Sequence, residues 1–350
     1  MSDKGMARRA AVKVVFDGTD ISKDLEQYML SLTYTDSDED EGDSLQISMQ
    51  DREGVWKQKW LEQSVRESGK SMTIQAVIAR RNWTGNGADD ILECGAFELD
   101  NVSVQGPPST VTVKGTSVPY NSTLQQTQQS KSWEAYDLKK IAGEIANKAD
   151  MALMYLPSPV PSYDRVEQYR TSDIVFLKKL CQDAGFSVKV SNKILIIFEQ
   201  EEYEKRGPVR TFAYGDGSII KYKCYTNETQ TYALCRVYYD NDGTLIEWTQ
   251  KAEDYDPKNN NKQKLEVNQK VATVEEAKAL AKQMLRLYNK FAYVVEFTVP
   301  GDTSLVAGAT VMLSGYGMFD GKYLIKVATH TVSGSGGYTT KIKAQWALTQ

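Results

Sequence analysis

At 350 residues, with 41% hydrophobic and 25% charged side chains, the sequence is long enough for two or three folded domains and excludes a disordered or membrane-spanning chain. A net charge of −4 and a pI near 5.4 exclude a general nucleic-acid binder, which presents a basic face, yet allow a channel that DNA passes without adhering. Four cysteines, Cys94, Cys181, Cys224 and Cys235, show neither a Cys-x-x-Cys pair nor a metal-ligand spacing.

Residues 1–16 carry basic side chains and only a very short apolar run, with Lys13 inside it. No signal peptide is expected, and no later run approaches transmembrane length. The chain is therefore expected to stay in the cytoplasm until it is assembled or released. From Ala11 to Gly115 the pattern is all β. Strands are predicted over 11–16, 29–35 and 45–50, the last with Leu45, Ile47 and Met49 on one face. Between the second and third lies Asp36-Ser37-Asp38-Glu39-Asp40-Glu41-Gly42-Asp43. An EF-hand needs glycine at its sixth position and glutamate at its twelfth, and this chain has Glu41 and Ile47 there. A solvated hairpin loop is the expectation, and its carboxylates are the candidate channel-lining or interface feature. Asp51-Arg52-Glu53-Gly54-Val55-Trp56 and Trp60 give a turn and a short helical segment, the tryptophans being expected to plug a barrel end. Strands over 71–80, 91–99, 102–104 and 110–114 follow, the last after the turn Gly106-Pro107-Pro108.

The polar, glutamine-rich stretch from Pro119 to Ser130 reads as a domain boundary. An amphipathic helix is predicted over 133–149, burying Leu138, Ile141, Ala142, Ile145 and Ala149. Pro157, Pro159 and Pro161 then force an extended connection. Ile174, Leu177, Leu180, Cys181 and Ala184 recur at three- and four-residue steps and form the buried face of a second helix, in which Cys181 is a buried thiol. Thr171 or Ser172 caps its start, Asp173 favours its positive end, and Gly185 stands where a left-handed cap is needed. Strands over 187–190 and 194–198 meet at Ser191, Asn192 and Lys193. After the charged link 201–208, strands are predicted over 211–214, 219–225, 232–239 and 244–249, the last pair joined by Asp240-Asn241-Asp242-Gly243. The lysine- and asparagine-rich segment 258–264 reads as a loop. Thr273 and Glu276 form a capping box for a helix over 274–289 that turns Ala277, Leu280, Ala281, Met284, Leu285 and Tyr288 to a core. Strands over 291–299, 310–314, 323–331 and 338–347 complete the chain. The expected fold is mainly β with an α+β insertion. Two tube-like antiparallel β-barrel domains, 1–125 and 206–350 (with a helix near 273–290), flank a small α/β domain, 126–205.

His330 is the only histidine, which excludes a Cys-His-His peptidase arrangement and leaves no suggestive zinc set. Among apolar neighbours in a strand, a hydrogen-bonded structural role is expected for it. Glu144, just after Gly143, is the nearest match to a lytic transglycosylase acid, but Lys139, Lys140 and Lys148 make that surface an exposed charged face. Gly315-x-Gly317 lies between strands, so a nucleotide-binding loop fails on context. A carbohydrate-binding module would need exposed aromatics such as Trp83 and Trp248. No catalytic, cofactor-binding or metal-ligating residue is assigned, and no cofactor is expected.

Gln168, Thr171-Ser172-Asp173, Phe176-Leu177, Leu180 and Gly185-Phe186 resemble a recurring pattern of the phage late control gene D family. Its members are the baseplate hubs of contractile phage tails, R-type bacteriocins and related secretion spikes. The end of the chain continues the pattern with Pro300-Gly301; Gly315, Gly317, Phe319-Asp320-Gly321 and Tyr323; His330; and Gly336-Gly337-Tyr338-Thr339-Thr340. The acidic loop, its following strand and Asp51-Arg52 resemble the family too, whereas loop lengths and residues 251–270 are unmatched. The resemblance implies a structural protein and no enzyme. It implies a homotrimer whose two barrels per subunit make a pseudo-sixfold ring, with the tail tube protein on one face and the central spike protein on the other. It further implies contacts with other baseplate proteins and the tape measure protein, no specific nucleic-acid binding, no membrane segment, and a place in the virion tail baseplate after synthesis in the bacterial host cytoplasm. A tail-associated peptidoglycan hydrolase is the alternative.

Overall fold

Alternation of apolar side chains recurs along the chain, and the structure, a computed structural model, turns it into one thirteen-stranded sheet and three small ones. It describes residues 8–38, 42–56, 72–83, 89–117, 127–158, 160–191, 193–227, 231–241, 243–252, 263–271, 273–334 and 337–348. No helix among them is long and apolar enough to cross a membrane.

The first half contributes β1 (Arg9–Phe16), β2 (Thr19–Asp20), β3 (Met29–Ser37), β4 (Ser44–Gln50), β5 (Thr73–Arg81), β6 (Asp90–Gln105) and β7 (Thr110–Thr116). They lie in the order β3-β4-β7-β6-β5-β1-β2, each neighbour antiparallel. Leu45, Ile47 and Met49 all point inward, as their spacing predicts. β6 is one long strand where two were expected, because the register slips at Cys94 and again at Asp100, and Gly95 takes a positive φ of 93° to bend it. A short helix, α1 (Ser22–Tyr28), escaped the sequence reading and buries Leu25. Trp56 is buried edge-on to Tyr28 in this core, while Trp60 lies outside the described residues.

The small α/β unit comprises β8 (Gln129–Asp137), α2 (Leu138–Lys148), β9 (Ala152–Tyr155), β10 (Ser162–Thr171), α3 (Asp173–Asp183), β11 (Ser187–Ser191) and β12 (Ile194–Phe198). β8 pairs with β10, and β11-β12-β9 form a second ribbon over a core that includes Leu138, Leu177 and Cys181. Residues 133–137 are strand instead of helix. Asp137 accepts from the Lys140 amide at 2.7 Å and so starts α2 where it does. Gly185, at φ 76°, closes α3: its amide bonds the Gln182 carbonyl at 2.9 Å, and the Phe186 amide bonds that of Cys181 at 2.7 Å.

α4 (Gln200–Glu204) leads into β13 (Arg210–Ala213) and β14 (Lys221–Thr226). Then β15 (Tyr232–Asn241), β16 (Thr244–Lys251) and β17 (Gln263–Asn268) form a separate sheet against α5 (Val274–Asn289). Their core holds Cys235, Val237, Ala277, Ala281 and Leu285, so these strands do not join the second β domain as expected. Thr273 caps α5 by accepting from the Glu276 amide at 3.1 Å. β18 (Tyr293–Pro300), β19 (Thr310–Ser314), β20 (Gly321–Ser333) and β21 (Gly337–Trp346) complete the large sheet in the order β14-β18-β21-β20, with β13-β19 added beside β20. This half curls until Phe212 of β13 stacks on Phe297 of β18 at 4.5 Å. Among the described residues no ladder joins β13 to β14 or β1 to β3, so barrel closure is not detected in either half. β20 instead pairs with β3, Val327–Ser333 against Ser31–Ser37, and makes the two halves one continuous sheet.

Candidate functional site at the acidic junction

The inward face of β3 carries Leu32, Tyr34 and then Asp36, so its alternation places a carboxylate where the hydrophobic core ends. The acidic stretch was expected to be a solvated loop, and its described members are instead buried: Asp36, Asp38 and Asp43 are 6%, 8% and 2% exposed. Glu39, Asp40 and Glu41 lie outside the described residues. A buried carboxylate requires a cation and hydrogen bonds. Lys189, on β11 of the small unit, supplies the first, with Nζ 2.5 Å from Asp36 and 3.1 Å from Asp43. The Ala307 amide donates to Asp36 at 2.9 Å. The Ser37 amide and Ser191 Oγ each donate to Asp43 at 3.0 Å. Ser117 Oγ donates to the Val190 carbonyl at 3.1 Å and accepts from the Asp43 amide at 2.9 Å.

The second cation is Lys326, 2.5 Å from Asp38. A register slip in β20 between Ile325 and Val327 turns it into the interior, and its carbonyl takes the Asp38 amide at 2.8 Å. Residues of the first sheet half, the second half and the small unit thus meet at three aspartates. The sequence reading missed both lysines. The signal for Lys326 was present, since a lysine inside Tyr-Leu-Ile-Lys-Val-Ala demands a buried counter-charge.

Two carboxylates share one ammonium here. Burial pushes the Asp43 carboxyl up to about 6, Lys189 opposing and Asp36 adding to the rise. Burial alone would lower Lys189, and the pair Asp36 and Asp43 outweighs it and leaves it raised.

The groups singled out for chemistry are engaged elsewhere. His330 is fully buried, stacked on Tyr34, with Nε2 3.0 Å from the Leu305 carbonyl and Nδ1 2.8 Å from the Tyr338 hydroxyl. Burial lowers it to about 4, so it is a neutral structural group at neutral pH, as expected. Glu144 is exposed and pairs with Lys131 at 2.7 Å, whose hydrogen bond, with that of Tyr136, lowers its carboxyl; a general acid needs the opposite. Trp83 lies beneath Arg8 and Arg80, and Lys278 sits over Trp248, so neither is an open sugar platform. No group of three or more metal-ligating side chains occurs among the described residues.

No protein-family model matches the sequence. Over 200 residues, 56% of the chain, it is 26% identical to a probable baseplate hub protein of Escherichia phage 186, and over 198 residues it is 26% identical to one of Escherichia phage P2. Over this stretch the chain is similar to phage baseplate hub proteins. The match spans about half the length of these relatives, 46% and 47%. A 43 kDa tail protein of prophage MuSo2 from Shewanella oneidensis has the same fold, with a TM-score of 0.68 over 97% of this chain and 99% of that one at 13% identity. The fold is that of phage tail proteins.

Proposed function

We propose that the chain is the structural baseplate hub of a contractile phage tail or tail-like particle, a trimer that joins the tail tube to the central spike. The observation that carries this reading is agreement with a phage tail protein over nearly the whole of both chains, together with the sequence match to two baseplate hub proteins. The β3–β20 ladder supports it physically. It places two curved sheet halves side by side in one chain, so three copies present six similar units around a threefold axis and meet a sixfold tube above and a threefold spike below. The first β unit (1–125), the small α/β unit (126–205) and the second β unit (206–350) are the parts of this hub, other baseplate proteins and the tape measure protein are its further neighbours, and the virion tail is its location. The role is structural: the exposed, lysine-paired Glu144 offers no general acid for peptidoglycan cleavage.

Negative-stain imaging of the purified chain with its tube and spike partners tests the reading. Threefold rings bridging both partners are expected, and a monomer that joins neither refutes it. A peptidoglycan zymogram separates the hydrolase alternative, for which a cleared zone is the required result.

A further inference from the structure

The large sheet ends on β14, which pairs with β18 and with no other strand among the described residues. Its register fixes what the open side presents. The Asn227 amide donates to the Ala292 carbonyl at 2.9 Å, so Lys221, Lys223 and Tyr225, in step with Asn227, exchange their backbone bonds with β18. Tyr222, Cys224 and Thr226 therefore turn N–H and C=O outward along an edge of about 20 Å. Side chains alternate as well. Cys224 packs against the core and Tyr222 stacks on Phe297, whereas Lys221 and Lys223 are exposed on the other face. Tyr222 is nevertheless 46% exposed, and Tyr214, edge-on to it at 6.3 Å, is 64% exposed. An aromatic margin thus borders a backbone that is free to pair.

Charge narrows the partner. On the lysine face, residues directly opposite one another across β21, β18 and β14 run Lys343, Glu296, Lys223. Lys223 stands over the Tyr225 ring at 4.6 Å, and neither it nor Lys221 forms an ion pair among the described residues. A strand laid beside β14 continues the alternation of sign when it carries acidic side chains on this face. A second copy fits poorly. The opposite end of the sheet offers β1, where Ser22 Oγ and the Ile21 amide occupy the outward backbone groups of Val14 and leave those of Ala10 and Val12 open. Its exposed Arg9 and Lys13 lie on the face away from Val14, so any register covering both β14 lysines sets one of them opposite Lys221 or Lys223. Like charges directly opposite destabilise such a pair, and lysines on an edge strand deter self-association.

We propose that the open edge of β14 accepts, as an added β-strand, an extended segment of a different protein in which acidic and apolar residues alternate. Its acidic side chains face Lys221 and Lys223, and its apolar ones meet Tyr222 and Cys224. The site is built within one chain, so it goes beyond the hub reading and is tested on the isolated protein without ring assembly. The probe is a fluorescein-labelled peptide of about eight residues, alternating glutamate and valine, which is long enough to cover the edge. Fluorescence anisotropy should show saturable binding, and hydrogen exchange over residues 221–226 should slow when the peptide is bound. The double variant Lys221→Glu/Lys223→Glu, confirmed as folded by circular dichroism, should bind this peptide roughly three- to tenfold more weakly and prefer one alternating lysine and valine. Absence of binding, equal binding of a peptide of the same composition with its glutamates in one block, unchanged exchange over 221–226, or an unchanged preference in the double variant overturns the proposal. Slower exchange over 221–226 as the protein alone is concentrated assigns the edge to a second copy and also overturns it.

Discussion

Replacing Asp43 with asparagine separates two accounts of the acidic junction. Removing one partner of a buried ion pair ordinarily costs about 3–5 kcal/mol. Lys189, however, is shared with Asp36, which lies nearer, at 2.5 Å against 3.1 Å, so the ammonium keeps a counter-charge when Asp43 is neutralised. The rise of the Asp43 carboxyl from 3.8 to about 6 means that its ionised form is disfavoured in the folded protein, by roughly 3 kcal/mol. Because the folded state binds this proton more tightly than the unfolded chain, the group's contribution to stability is fully present below about pH 4. It is lost as the pH rises through about 6. Asparagine keeps the shape and an acceptor for the Ser37 amide, and it does not titrate. Its stability relative to the parent should therefore shift in its favour by roughly 2–3 kcal/mol between about pH 4 and about pH 7.

The assay is urea unfolding of both proteins across that range, followed by tryptophan fluorescence and compared as a difference. His330 titrates in the same window with the opposite sign. Lowered by burial from 6.5 to about 4, it contributes stability present above about 6.5 that is lost as the pH falls through about 4. That slope is common to both proteins and leaves the difference untouched. A pH-independent difference, or a neutral-pH loss of 3–5 kcal/mol in Asp43→Asn, refutes the reasoning.

Lys189→Met strands two buried carboxylates without a cation and should cost about 3–5 kcal/mol, with residues 129–198 becoming the first region cut in limited proteolysis. Gly301→Ala places a methyl group 2.0 Å from Tyr338 Cδ1, so the ring must move and strain its hydroxyl contact with His330; a loss of roughly 3 kcal/mol in thermal unfolding is expected. Phe297→Ala empties the ring packed between Phe212 and Tyr222 and should cost about 3–5 kcal/mol by urea titration.

What could be read from the sequence follows the reach of each interaction. β4 and β21 bury alternate side chains, and α5 announces itself through Thr273 and an apolar stripe, so local pattern sufficed. β10 pairs only with β8 in a ribbon that exposes most of its side chains, which leaves no alternation to read. β17, in a stretch of lysine and asparagine, is a mostly exposed strand held by its parallel pairing with β15. The acidic stretch looked solvated because its counter-charges are remote. Lys189 lies 153 residues from Asp36, and Lys326 lies 288 from Asp38. A run of like charge signals solvation only when no buried cation elsewhere awaits it.

The two kinds of bond at this junction differ in how readily they yield. Seven paired residues of β3 and β20 fix the sheet halves relative to each other by backbone hydrogen bonds, which tolerate little sliding because one step reverses every side chain. The small unit is fastened beside that ladder by side-chain pairs to one lysine and by single hydrogen bonds through Ser117 and Ser191, contacts that lengthen or exchange at smaller cost than a β ladder. On the hub reading proposed above, a ring reconciling sixfold and threefold neighbours would use that asymmetry: a rigid doubled sheet to hold the circle, and polar fastenings that let the remaining units settle against unlike partners. Lys189→Met therefore discriminates function from mere stability. On the hub reading, rings of this variant still form through the sheet, and the loss appears in attachment of the partners.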